Sequence, residues 1–290
     1  MPYLYLFLSA VFMASSSVFG GYYSRRTMQR KDATPLFNLV RMLATLICWC
    51  VIYAFDFSFD AGVLLYSLGF GGCFALATIA LIYAIKYGSV ALTSLMLQVS
   101  LIGVCIWGLI FWGAPFTILV LLGLILVTIG IALCVLEGKK EEGKKTISLR
   151  WLFFSLLAFA GNAGCSIIQK EQQLFYGGKH GSMLMVFGLI IAFLVCLVLY
   201  LKSDKTDTRL LLKTEWGFPV FAGVSNTALN LFVILLATST LSSSLIYPVI
   251  AVGGLLVTTL FSLFAFKEKL KWWQWVGFVI GTVGIVLLNI

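Results

Sequence analysis

Long apolar stretches broken by short polar or charged ones run the length of the chain. None shows the period-two alternation that a strand of a membrane barrel needs, so the stretches are read as helices. The pattern predicts ten of them: Tyr3 to Tyr23, Thr34 to Phe55, Gly62 to Ile85, Ser89 to Trp112, Pro115 to Leu136, Trp151 to Gln169, Ser182 to Leu201, Trp216 to Ala237, Ser242 to Phe266 and Trp272 to Leu288. Each is close to the ~20 residues of helix that cross a hydrocarbon layer of ~30 Å. The expected fold is an all-α membrane protein of ten transmembrane helices. Tyr3 to Tyr23 lacks a basic start and a small-residue cleavage site, so it is read as the first span and not as a removed signal.

The one sizeable hydrophilic interruption, Glu137 to Arg150 (EGKKEEGKKTISLR), falls near the middle of the chain. It predicts a first five-helix repeat over residues 1–137, a charged linker over 138–149 and a second five-helix repeat over 150–290. A shift of 154 positions lays Leu121 to Leu133 on Trp275 to Leu287, with Gly123, Thr128 and Gly130 falling on Gly277, Thr282 and Gly284. Five spans is an odd number, so a second copy enters the membrane upside down. The expectation is two inverted five-helix repeats, which places a substrate site near the midplane where they meet.

Composition agrees with lipid as the main solvent. The 290 residues are 61% hydrophobic and 11% charged, with mean hydropathy +1.05, against an apolar share of ~45–50% in soluble domains. The net charge of +9 does not predict a nucleic-acid partner, because the basic residues sit between apolar runs. Apart from Arg41, Lys170 and Lys179, every Lys and Arg follows an odd-numbered span. By the positive-inside rule those loops are cytoplasmic, both termini face out, and the protein is a multi-pass protein of the cell membrane. Trp272, Trp273, Trp275, Trp151 and Trp216 fit interfacial anchors on the basic side. Cys48, Cys50, Cys73, Cys105, Cys134, Cys165 and Cys196 are scattered through apolar runs without metal-ligand spacing, which suits small buried thiols. No metal or other cofactor is expected. His180 is the one histidine and lies in a loop; with no paired carboxylates inside spans, the chain is not expected to be an enzyme.

Several segments resemble the ten-helix EamA-type branch of the drug/metabolite transporter (DMT) superfamily. They are PLFNLVR (Pro35 to Arg41) at the start of span 2, ALIYAIKYGSVAL (Ala80 to Leu92) between spans 3 and 4, and Ser242 to Leu288, where Pro248, Glu268, Gly277 and Gly284 carry the match. The chain departs from that pattern in span 1, where the serine run Ser15 to Ser17 stands in place of the usual Trp. The resemblance implies a transporter and leaves its solute open.

Polar side chains inside hydrocarbon mark the candidate site, because each is costly unless it meets a partner or a wet cavity. Asn162, Ser166 and Gln169 share one face of span 6, Asn226 and Asn230 one face of span 8, and Ser94 and Gln98 one face of span 4. Tyr247 and Pro248 lie within span 9, where proline removes a backbone hydrogen bond. Arg41 is the most deeply placed charge. It reaches the basic interface, joins an internal hydrogen-bond network, or makes a substrate or gating contact. Ser15 and Tyr83 complete the candidate substrate-binding set of Ser15, Arg41, Tyr83, Gln98, Asn162, Asn226, Asn230 and Tyr247. The amides could equally bridge helices as packing contacts.

No Asp or Glu lies within a span, which argues against proton-exchanged export of cationic drugs; no Lys/Arg cluster suits sugar phosphates. The expected function is secondary transport of a small neutral, zwitterionic or weakly anionic metabolite, such as an amino acid or related compound, by alternating access through a cavity lined by spans 1, 3, 4, 6, 8 and 9. The alternative is a lipid scramblase or lipid-head-group flippase. The expected partners are the solute and the bilayer, with the chain a monomer or a homodimer through Gly277 and Gly281.

Overall fold

The computed structural model describes residues 1–27, 30, 33–87, 90–113, 117–136, 149–265 and 272–288. Among them are eleven helices and no strand: α1 Pro2–Thr27, α2 Ala33–Phe55, α3 Ala61–Tyr87, α4 Val90–Phe111, α5 Ile118–Leu136, α6 Leu149–Phe175, α7 Gly181–Leu201, α8 Thr208–Thr214, α9 Gly217–Ala237, α10 Ser243–Ala265 and α11 Trp272–Leu288. The protein is an all-α membrane protein. α1, α2, α3, α6, α7 and α9 are long and apolar enough to cross a membrane; α4, α5, α10 and α11 carry shorter apolar segments among the described residues. Residues 138–148 of the charged linker and Glu268 lie outside those residues.

Two elements differ from the sequence expectation. α6 runs six residues past Gln169, so Lys170 is a helical residue only 6% exposed and does not sit in a loop. The charge suggests a loop, but Gln172 and Gln173 are buried with it, and Gln172 Nε2 caps the Lys179 carbonyl at 2.9 Å. The short α8 lies in a stretch rich in Lys, Asp and Thr, and its Leu211 packs with Tyr23, Ala33 and Leu36. Trp272, Trp273, Trp275 and Trp216 are exposed as interfacial anchors should be, but Trp151 is buried.

Polar contacts gather at the two ends of the bundle. At the basic end Arg30 pairs with Asp207 at 2.8 Å and Arg26 with Glu215 at 3.5 Å, drawing the α1–α2 and α7–α9 connections together. At the acidic end the Tyr176 hydroxyl donates to Asp60 (3.1 Å), Ser182 donates to Asp56 (3.2 Å) and His180 meets Ser58 (2.8 Å). These contacts join the α2–α3 and α6–α7 turns. His180 also has the left-handed backbone (φ 60°) at the start of α7.

Between the ends, the helix pairs come in matched sets. α3 packs on α6 as α1 does on α9; α4 packs on α6 as α1 does on α10; α3 packs on α7 as α2 does on α9. Each pair becomes its mate when α1, α2, α3, α4 and α5 are exchanged with α6, α7, α9, α10 and α11. The α5–α11 crossing shows the same exchange at atomic detail. A Cβ on Gly130 would lie 2.7 Å from the Gly277 oxygen and the Gly281 nitrogen, and one on Gly284 would lie 2.9 Å from the Gly123 oxygen and the Val127 nitrogen. Each contact is the other moved by 154 positions. With no hydrophobic effect to drive helices together inside lipid, such backbone approach is what maximises dispersion contact. The glycines at 277 and 281 are thus engaged within one chain.

Gly130→Ala is therefore expected to lower thermal stability in detergent by about 1–3 kcal/mol through overpacking. Gly72, where a Cβ would meet nothing within 4 Å, is the control: Gly72→Ala should leave the midpoint unchanged or raise it slightly. Equal loss in both variants would show that the crossing is not close-packed.

Candidate functional site

A cavity of about 370 Å³ lies inside the bundle, within the range of small-molecule sites. α1 contributes Ser16 and Ser17, α2 Arg41, α3 Phe70, Phe74 and Thr78, α6 Asn162, Ser166 and Gln169, and α9 Asn226 and Asn230. Leu97 and Leu101 of α4, Met185 and Leu189 of α7, and Tyr247 and Ile250 of α10 complete most of the wall. α2 and α7 thus join the six helices expected from the sequence. A larger crevice of about 630 Å³ between α4 and α5 has an apolar wall, and its one lining hydroxyl, Thr128, is bonded to Leu124 O at 2.7 Å. It offers a polar solute nothing to bind.

Of the sequence candidates, Arg41, Asn162, Asn226, Asn230 and Tyr247 line this cavity, as do Ser166 and Gln169. Ser15 does not; its hydroxyl returns to Val11 O in its own helix at 2.9 Å, while its neighbours Ser16 and Ser17 face the space. Tyr83 is 40% exposed and stacks on Phe154 and Tyr87, away from the cavity. The side chain of Gln98 lies outside the described residues, as does that of Ser94.

The amides divide by their partners. Asn162 Nδ2 donates to Ser100 Oγ at 2.6 Å and also approaches Leu97 O at 3.4 Å, so it ties α6 to α4 as well as lining the cavity. Asn230 Nδ2 donates to Asn226 O (2.9 Å) and Asn226 Oδ1 (3.3 Å). That leaves Asn226 Nδ2 as a donor and Asn230 Oδ1 as an acceptor without a protein partner among the described residues. Tyr247 is 3% exposed, one position before the helix-interior Pro248.

Arg41 is held by its backbone. Thr45 Oγ1 lies 2.9 Å from Arg41 O and 3.2 Å from Gly223 O, joining α2 to α9. A Cβ at Gly223 would stand 2.6 Å from the Arg41 oxygen, so only glycine permits this approach. Eight residues into α2, Arg41 has a buried Nε that meets no acceptor.

Beyond the lining residues Leu101, Gln169 and Tyr247, toward the acidic end, lies a cluster of side chains that the hydropathy pattern gives little reason to select. Lys170 Nζ donates to Ser243 Oγ at 2.6 Å and sits 4.8 Å from the centroid of the Trp112 ring. The Trp112 indole donates to Glu171 at 2.6 Å, and the Cys105 thiol to Ser243 O at 3.3 Å. α4, α6 and α10 are locked together by this cluster. Read singly, Lys170 and Glu171 look like loop charges; only the length of α6 turns them inward.

These features define a polytopic helical membrane protein with a partly polar chamber between its helices. The EamA-like transporter family model matches residues 149–290, the second half of the chain. A solved crystal structure, titled only as that of a protein, covers 97% of this chain and 94% of its own with a TM-score of 0.74 at 13% identity; it shows likeness of fold. No curated protein sequence matches.

Removing one partner of a buried hydrogen bond costs about 1–3 kcal/mol, whereas replacing both can be nearly neutral. Ser243→Ala should therefore lower the unfolding midpoint, and the double variant Ser243→Ala/Lys170→Met should recover much of the loss. Additive destabilisation would show that the Lys170–Ser243 contact does not hold the cluster.

Proposed function

We propose that this chain is a secondary transporter which carries a small polar metabolite across the membrane by alternating access. The observation that carries the proposal is an internal chamber, polar on several sides, in a chain whose second half matches a transporter family. Its wall draws side chains from both halves of the chain, 1–137 and 150–290. Relative motion of two inverted five-helix halves would therefore rebuild the site itself. The exchanged helix pairs and the reciprocal glycine contacts of α5 and α11 support such a pair of halves. Opening of the Lys170–Ser243–Trp112 cluster would expose the chamber at the acidic end.

A neutral, zwitterionic or weakly anionic solute suits a wall of amides, hydroxyls and one guanidinium without a carboxylate. Asn226 is the most direct test, since its free Nδ2 is not needed to join helices. Asn226→Leu should reduce uptake of labelled amino acids and short carboxylic acids into proteoliposomes at least tenfold while leaving expression and the unfolding midpoint near those of the parent. Undiminished uptake would take Asn226 out of the site; translocation of labelled lipid in place of solute would replace transport by scrambling.

The charge bias favours a cytoplasmic basic end. In a cysteine-free background in intact cells, Phe59→Cys should react with an impermeant maleimide and Thr206→Cys only after permeabilisation. The reverse result would invert the assigned orientation.

A further inference from the structure

The transport reading leaves the charge of the solute open, and Arg41 narrows it. This residue contributes the one charged side chain in the described wall of the chamber, which contains no Asp or Glu. Its Nε is buried without an acceptor, and no ion pair involves it among the described residues. The nearest carboxylate in α6, Glu171, is committed to the Trp112 indole at the acidic end. At the basic end Asp207 and Glu215 meet Arg30 and Arg26, and Asp204 accepts from Thr206. A guanidinium in hydrocarbon is costly when uncompensated, and the fold does not compensate this one. Its side chain is half-buried and lines the chamber.

We propose that the transported solute carries a carboxylate and that Arg41 is its anchor, a reading that rests on the transport function proposed above. A guanidinium presents donors in a planar fork that matches the two oxygens of a carboxylate, and the resulting charge-assisted bonds are stronger than neutral ones. Asn226 is three positions beyond Gly223, the residue against which the Arg41 backbone is seated. One helical turn therefore separates the seat of the Arg41 backbone from a free amide donor, and both side chains line the chamber. Phe70, Phe74, Leu97, Leu101 and Leu189 provide an apolar wall for the remainder of the molecule. The single positive charge suits a solute with one carboxylate that it can neutralise. A 370 Å³ chamber confines that solute to the size of a small metabolite.

The test uses the full chain in detergent and matched probes: N-acetyl amino acids and short monocarboxylic acids, each beside its neutral primary amide. Thermal shift at 1 and 10 mM should show stabilisation by at least one acid and a shift from its amide corresponding to roughly 10- to 100-fold weaker binding. Arg41→Gln should bind acid and amide equally weakly, and Arg41→Lys should keep the preference for the acid at reduced affinity. Retained acid preference in Arg41→Gln, equal binding of both partners by the parent, or no shift from any acid would overturn the proposal. The Lys variant guards against a misfolded Gln variant, because discrimination returns only if charge is the cause. Flux is read separately in proteoliposomes. Acid-selective binding without flux would sink the transport reading and keep the anchor, whereas flux indifferent to the carboxylate would do the opposite.

Discussion

Hydrocarbon offers a peptide backbone no hydrogen-bond partner, and every other property of this protein follows from how the chain meets that shortage. Helices satisfy the backbone within each segment, so helix is the form of almost every described residue. Side-chain hydroxyls follow the same rule: Ser9, Ser15, Ser67, Thr78 and Thr128 all donate to a carbonyl four residues earlier in their own helix. A polar group that does not return to its own helix must find another helix or a wet space. Asn162 finds Ser100 on α4, Ser16 finds Ala222 O on α9, and Lys170 finds Ser243 on α10. Arg41 Nε, Asn226 Nδ2 and Asn230 Oδ1 find none, and all three residues border one chamber.

Helix packing in this solvent depends on close approach, and the glycines show where. α5 and α11 meet through Gly130, Gly277, Gly281 and Gly284 at backbone contact. α2 and α9 meet through Gly223, and there the approach has a chemical consequence, since it sets the position of the one charged residue in the chamber wall. Packing and recognition are thus not separable in this bundle. The residue that lets two helices touch also aims a side chain at the solute space.

Much of this architecture could be read from the chain before any coordinates. Continuous apolar runs located ten of the eleven helices, with most ends within a residue or two, because hydropathy reports directly on the solvent. The method fails where burial is achieved by side-chain pairing instead of apolarity. Lys170, Glu171, Gln172 and Gln173 read as a loop, yet they complete α6 because Ser243, Trp112, the Lys179 carbonyl and neighbouring amides satisfy them. α8 is too short and too charged to stand out, and only the burial of Leu211 reveals its place. Helical periodicity grouped Asn162 with Ser166 and Gln169, and Asn226 with Asn230, but it does not distinguish adjacent faces of a serine run. Ser15 turns to its own backbone while Ser16 and Ser17 face the chamber, and a motif position such as Tyr83 proves to be part of an aromatic stack.

The seating of Arg41 also bears on how such a chamber could work. Its carbonyl and that of Gly223 share the Thr45 hydroxyl, and Thr227 Oγ1 adds a bond to the same Gly223 oxygen at 3.1 Å. The guanidinium of α2 is therefore registered against α9, which carries Asn226 and Asn230. Asn162 is registered against α4 through Ser100, and α4 is fastened to α10 and α6 near the Lys170 cluster. Within the wall, side-chain bonds thus pin two groups, α2 with α9 and α4 with α6, while α1, α3, α7 and α10 supply the rest. A solute that bridges Arg41 to the α4–α6 side would bind one relative placement of the groups better than another. Differential affinity of that kind is the only means by which a ligand can shift a conformational equilibrium. Under the proposed alternating access, it would couple occupancy of the chamber to the state of the Lys170 cluster without requiring a direct contact between them.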